Sequence, residues 1–112
     1  MLTREEILAK TDFRRVEVAV PEWGEGAVVY VAELDAAKVE KLIEATQDGE
    51  DPCTMAVVAV RTVVDEAGER VFRDEDVEAV RGLSGAALTR IMAVASDLNK
   101  LGAESVEDLE KN

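Results

Sequence analysis

Apolar and polar residues alternate from Arg15 to Val20. Val16, Val18 and Val20 fall on one face and Arg15 and Glu17 on the other, the period of a half-buried strand. Pro21-Glu22-Trp23-Gly24-Glu25-Gly26 follows, dense in turn-forming residues. Ala27 to Glu33 reads as a return strand, with Val29 and Val31 on one face and Val28 and Tyr30 on the other. The two segments predict a β-hairpin with a long loop. A two-stranded ribbon is marginal alone in water, so it has to lie on helices or join strands of another subunit.

The rest of the chain is patterned for helices. Thr3 and Glu6 make a capping box for a short helix through Ala9, with Ile7 and Leu8 as its apolar side, free to fray or to dock on a partner. Asp35 caps a second helix whose inward stripe is Val39, Leu42, Ile43 and Thr46 and which Gly49 ends. Met55 to Val64 is ambiguous, because its valines favour a strand. Asp51 at the cap, Pro52 at the first helical position and Gly68 beyond the end favour a helix, and the helix is the reading adopted. Val71-Phe72 is a short extended piece with Phe72 as a core plug. Asp74 caps a two-turn helix that ends at Gly82, with Val77 and Val80 inward. Ser84 caps the last helix, whose stripe is Leu88, Ile91, Ala95 and Leu98, widened by Ala87, Val94 and Leu101. Arg90, Asp97 and Lys100 face water, and Gly102 terminates the helix.

These elements give an α+β class: an N-terminal β-hairpin packed on a bundle of about four helices. Residues 1–102 form one domain, and residues 103–112 are an acidic, flexible C-terminal tail or a weak helical extension. With 112 residues, 47% apolar but only 4% aromatic, the core is built from Val, Ala and Leu.

Charge narrows the partners. The net charge is −12, from 25 acids and 13 bases. It is uneven: residues 65–78 carry seven acids and two bases, and residues 103–112 four acids and one base. Such a field repels polyphosphate, so nucleic acid is not an expected partner. No stretch reaches the ~20 apolar residues of a membrane span, and the N-terminus lacks a signal-peptide core. One cysteine, Cys53, allows no internal disulfide and fits a reducing cytoplasm.

Chemistry is sparse. There is no histidine, which removes the commonest general base, the Ser-His and Cys-His pairs and most zinc sites. Gly24-Glu25-Gly26 lacks the third glycine and the context of a dinucleotide fingerprint. Asp48-Gly49-Glu50-Asp51 and Asp74-Glu75-Asp76 do not follow the ligand order of an EF-hand loop. They read as carboxylates at helix N-termini, favoured by the helix dipole. Cys53, in a first helical turn, is either a thiol of lowered pKa or a small packing residue. No catalytic, metal-binding or cofactor-binding residue is expected, and no cofactor.

Binding is the remaining class. Trp23 either folds back over the core or stands out as an interface anchor. Val28, Tyr30 and Ala32 either cover the domain's own helices or form a ribbon that pairs with another subunit. Trp23, Val28 and Tyr30 are the candidate partner-binding residues.

Two segments carry a family resemblance. One is Val20-Pro21-Glu22-Trp23-Gly24 followed by Val28 to Leu34. The other runs from Val63-Val64-Asp65-Glu66-Ala67-Gly68-Glu69-Arg70-Val71-Phe72 through Asp76-Val77 to the helix ending Leu98-Asn99-Lys100-Leu101. In this order and spacing, over about residues 12–102, the chain resembles tail assembly chaperones of siphophages and related prophages. The resemblance implies a non-enzymatic role in virion morphogenesis in the host bacterial cytoplasm, outside the mature virion. The implied partners are the tape measure protein, the major tail tube protein and further copies of the chain. It also implies a short form with Glu104 to Asn112 at its end and a longer, frameshifted form. The alternatives are a structural virion subunit of the tail tube or connector, and a small enzyme using carboxylates and a metal.

Overall fold

The computed structural model describes residues 1–47 and 54–101. Helix α1 (Arg4–Leu8) carries the expected capping box: the Glu6 amide donates to Thr3 Oγ1 (3.2 Å) and the Thr3 amide to Glu6 Oε1 (3.2 Å). It buries none of its residues, and Ile7 and Leu8 are exposed.

Strands β1 (Arg15–Ala19) and β2 (Val28–Ala32) form the hairpin. They pair antiparallel with Arg15 opposite Ala32, Glu17 opposite Tyr30 and Ala19 opposite Val28. The loop between them begins with a 3-10 turn, Pro21–Trp23. Val18, Val20 and Val31 are buried on the inner face, as the alternation requires.

Asp35 caps α2 (Ala36–Gln47), its Oδ1 accepting from the Lys38 amide at 2.8 Å. Leu42 is buried, but Ile43 is 40% exposed and leaves the expected inward stripe. Helix α3 (Thr54–Thr62) then passes directly into β3 (Val63–Val64), which pairs antiparallel with β2: Val63 opposite Val31 and Val64 opposite Tyr30. The sheet is therefore three-stranded, in the order β1-β2-β3. Residues 55–64 are helix and strand in succession, so the helix expected to run through Val64 stops at Thr62.

Gly68 accordingly ends no helix. It closes the turn after β3, at φ +87°, with its amide donating to the Asp65 carbonyl at 3.0 Å. Asp65 Oδ1 accepts from the Ala67 (2.8 Å) and Glu69 (3.0 Å) amides and holds the turn. Past it, the Val71 amide donates to the Val63 carbonyl at 3.1 Å, and Phe72 is half-buried against the core.

A 3-10 turn, Asp74–Asp76, leads into α4 (Val77–Arg81). The residue reaching back to cap this segment is Asp76, whose Oδ2 accepts from the Arg73 amide at 2.8 Å, and not Asp74 as expected. Ser84 caps α5 (Gly85–Asn99), its Oγ accepting from the Ala87 amide at 3.2 Å. Ala87, Leu88, Ile91, Ala95 and Leu98 are buried, as the stripe requires. The left-handed residue that ends α5 is Lys100 (φ 53°), not the expected Gly102.

One hydrophobic cluster joins the inner sheet face to α5 and α3, with α2 and α4 on the flanks of α3. The class is α+β, as expected, with a third strand added to the hairpin. Gly49, Asp51, Pro52, Cys53, Gly102 and the acidic segment 103–112 lie outside the described residues.

Candidate functional site

The hairpin presents two faces. Val16, Val18, Val29 and Val31 turn inward, so β1 and β2 turn Glu17, Ala19, Val28 and Tyr30 outward. Val28 is 43% exposed and Ala19, directly across from it, is exposed; Tyr30 is half-buried. Trp23 is 36% exposed in the loop at the same end of the ribbon. Its position is fixed from both sides. The Trp23 amide donates to the Val20 carbonyl at 3.0 Å. Next to it, Arg90 Nε on α5 donates to both Glu22 carboxylate oxygens, at 2.9 and 3.0 Å. A hydrogen bond from the backbone of Glu22 itself, and then Arg90, hold the Glu22 carboxyl below the usual carboxylate range against the opposing effect of burial.

The β1 edge is the second feature. The Val20 amide donates to the Ala27 carbonyl (2.9 Å) and the Glu33 amide to the Arg14 carbonyl (2.8 Å). Bonded pairs alternate in an antiparallel ladder, so Val16 and Val18 spend their backbone groups on β2, and the N–H and C=O groups of Arg15, Glu17 and Ala19 point the other way. No strand covers that edge among the described residues. The opposite edge, at β3, is closed by the Val64–Arg70 bridge.

A third feature had no sequence signal. Two adjoining clefts, of about 430 and 230 Å³, open beside β3 and α2 and share Leu34, Lys38, Arg61 and Arg70. Between them they gather Arg14, Arg15, Lys38, Lys41, Arg61 and Arg70, six of the thirteen bases of an acidic chain. The bases come from four separate stretches of sequence, and only the fold brings them together. Asp74 sits among them: Arg70 donates to its Oδ1 at 2.8 Å, and Arg61 lies 4.0 Å from Oδ2. The Arg70 hydrogen bond, with the charges of Arg61, Arg70 and Lys41, holds the Asp74 carboxyl below the usual range against the cost of burial.

Among the described residues no three acidic or cysteine side chains converge as metal ligands, and no helix is long and apolar enough to cross a membrane. The exposed features are an apolar strip, an open strand edge and a basic cleft, all suited to holding another polypeptide.

A family model for phage tail assembly chaperones matches residues 3–112. The chain belongs to that family. Its fold is similar to that of the bacteriophage HK97 tail assembly chaperone, with a TM-score of 0.59 and 27% identity over 77% of this chain and 85% of the HK97 chain. No curated protein matches it. The expected α+β architecture and the expected family thus agree with a solved relative. For the chaperone, Trp23 and Val28 lie at the outer surface, with Tyr30 half-covered between Glu17 and Val64.

Proposed function

We propose that this chaperone is non-enzymatic: it binds the tape measure protein in the host cytoplasm, keeps it soluble, promotes assembly of tail tube subunits around it, and is left out of the finished virion. Family membership supports the general role. The observation that carries the finer reading is the outward strip of Ala19, Val28 and Tyr30 beside the open β1 edge, with Trp23 exposed in the adjoining loop. An apolar strip next to unpaired backbone groups takes an apolar segment on the strip and a strand on the edge. The same edge fits self-association, with a second copy's β1 continuing the sheet. The net charge of −12 keeps such a sticky surface in solution.

Coexpression with the tape measure protein of the same phage tests the reading. The expected result is a gain in soluble tape measure protein and its co-purification with the chaperone. No gain and no co-purification overturn it. Finding the chain in purified particles replaces it with a structural virion role.

A further inference from the structure

We propose that the basic cleft between β3 and α2 is a binding site for carboxylate-rich peptide, and that its occupant is the chain's own segment from Glu104 to Glu110. This goes beyond the chaperone reading and does not depend on it.

The cleft holds more positive charge than its own acids neutralise. Glu33 is spent on Arg14, 3.6 Å away, and Asp74 on Arg70 and Arg61. Arg15, Lys38 and Lys41 form no ion pair among the described residues. One of the cations is also held in place. Arg70 Nε donates to the Val60 carbonyl at 3.1 Å, and the guanidinium of Arg15 lies against Gly68. Fixed guanidinium groups bind carboxylates with less ordering cost than free ones. Phe13, Ala32 and Leu34 add apolar wall between the charges.

The sequence after α5 is the complement. Glu104-Ser105-Val106-Glu107-Asp108-Leu109-Glu110 carries four acids, with Val106 and Leu109 three apart. It is also delivered to the right place. Asn99, in the last turn of α5, accepts from the Leu34 amide, and Leu34 lines both clefts. Glu104 follows Leu101 by three residues, a reach of about 10 Å, and Glu110 by nine, a reach of about 30 Å. A ligand joined to its site by so short a link meets it at an effective concentration on the order of millimolar. The rest of the surface is acidic and repels the segment, leaving this cleft as the favourable place for it.

Zero-length carbodiimide coupling on a mixture of 14N- and 15N-labelled full-length chains tests the proposal. The expected product is a cross-link within one chain from Lys38 or Lys41 to a carboxylate between Glu104 and Glu110. It should disappear in about 1 M salt, where the screening length falls to ~3 Å. A second variant, E104Q/E107Q/D108N/E110Q, changes no described residue. It should shift the amide resonances of Leu34 and Arg61 and the side-chain resonance of Arg70. Cross-links found only between differently labelled chains place a second copy's segment in the cleft and overturn docking within one chain. Absent cross-links, or unchanged resonances in the neutral variant, overturn the site altogether.

Discussion

Asn99 on α5 is joined to Leu34, 65 residues earlier: its Oδ1 accepts from the Leu34 amide at 2.6 Å. The same side chain donates from Nδ2 to the Ala32 carbonyl and to the Ala95 carbonyl, each at 3.1 Å. One amide therefore satisfies a donor and an acceptor just where β2 gives way to the turn into α2. A side chain needs both an acceptor oxygen and an NH₂ group for this, which limits the choice to Asn or Gln.

Asn99→Ala leaves the half-buried Leu34 amide and Ala32 carbonyl without that partner. The expected loss is about 1–3 kcal/mol of unfolding free energy. Asn99→Asp keeps the acceptor for Leu34 but offers no donor to Ala32, so it should fall between wild type and Asn99→Ala near neutral pH. Urea unfolding of the three proteins checks the order, and equal stability of all three contradicts it.

Asp74 supplies a pH dependence. Its folded pKa is depressed, first by the Arg70 hydrogen bond. Its contribution is therefore present above the unfolded aspartate value, about 3.9, and is lost as pH falls through the lower folded value. The Asp74 side chain is 62% exposed, so solvent screening limits the effect to about 0.2–1 kcal/mol. Asp74→Asn should be less stable than wild type by that amount at pH 7. The gap should narrow below pH ~5 and close once the wild-type carboxyl is protonated. A gap that stays constant down to acid pH counts against the assignment.

Gly68 and Gly85 make a matched pair for backbone tests. Gly68 sits at φ +87°, and an added Cβ would stand 3.3 Å from an Arg15 guanidinium nitrogen; at Gly85 it would meet open space. Gly68→Ala should cost about 1–2 kcal/mol, the penalty of a left-handed residue that has a Cβ. Gly85→Ala should be neutral or gain up to about 1 kcal/mol through the unfolded chain. Thermal unfolding distinguishes them, and the same sign for both refutes the argument.

Local signals were readable wherever one element decides its own structure. Alternation placed Val18, Val20 and Val31 inside, and the stripe of α5 placed Leu88, Ile91, Ala95 and Leu98 there. Thr3, Asp35 and Ser84 each accept the amide expected of a cap. The misses share a cause, which is information held elsewhere in the chain. No glycine or proline separates Thr62 from Val63. What switches helix to strand there is the backbone of Tyr30 on β2, whose N–H and C=O face away from β1 and are paired by residues in extended conformation. Gly68 looked like a helix stop because that partner strand is invisible in local periodicity. Lys100 takes the left-handed position that a glycine two residues on was expected to fill, with its amide donating to the Ser96 carbonyl. The basic cleft was illegible for the same reason, since Arg14, Lys38, Arg61 and Arg70 are scattered in sequence and convergent only in space.

The proposed contact surface for the tape measure protein can be separated from the fold with one pair of variants. Val28 lies on the outward strip opposite Ala19, while Val71, also exposed, lies beyond β3 on the far side of the sheet order. Val28→Lys keeps a long aliphatic stem on the strand and should change stability by no more than about 1 kcal/mol. It places a charge where an apolar segment would dock, so capture of the tape measure protein should drop at least tenfold, about 1.4 kcal/mol. Val71→Lys adds the same charge at a comparably exposed valine and should leave capture unchanged. Pull-down titrations alongside urea midpoints read both quantities. If Val71→Lys weakens capture as much as Val28→Lys, the effect is general charge repulsion and the outward strip is not the docking surface. If neither does, the open β1 edge alone holds the client, and a backbone-blocking change at Ala19 becomes the substitution that should matter.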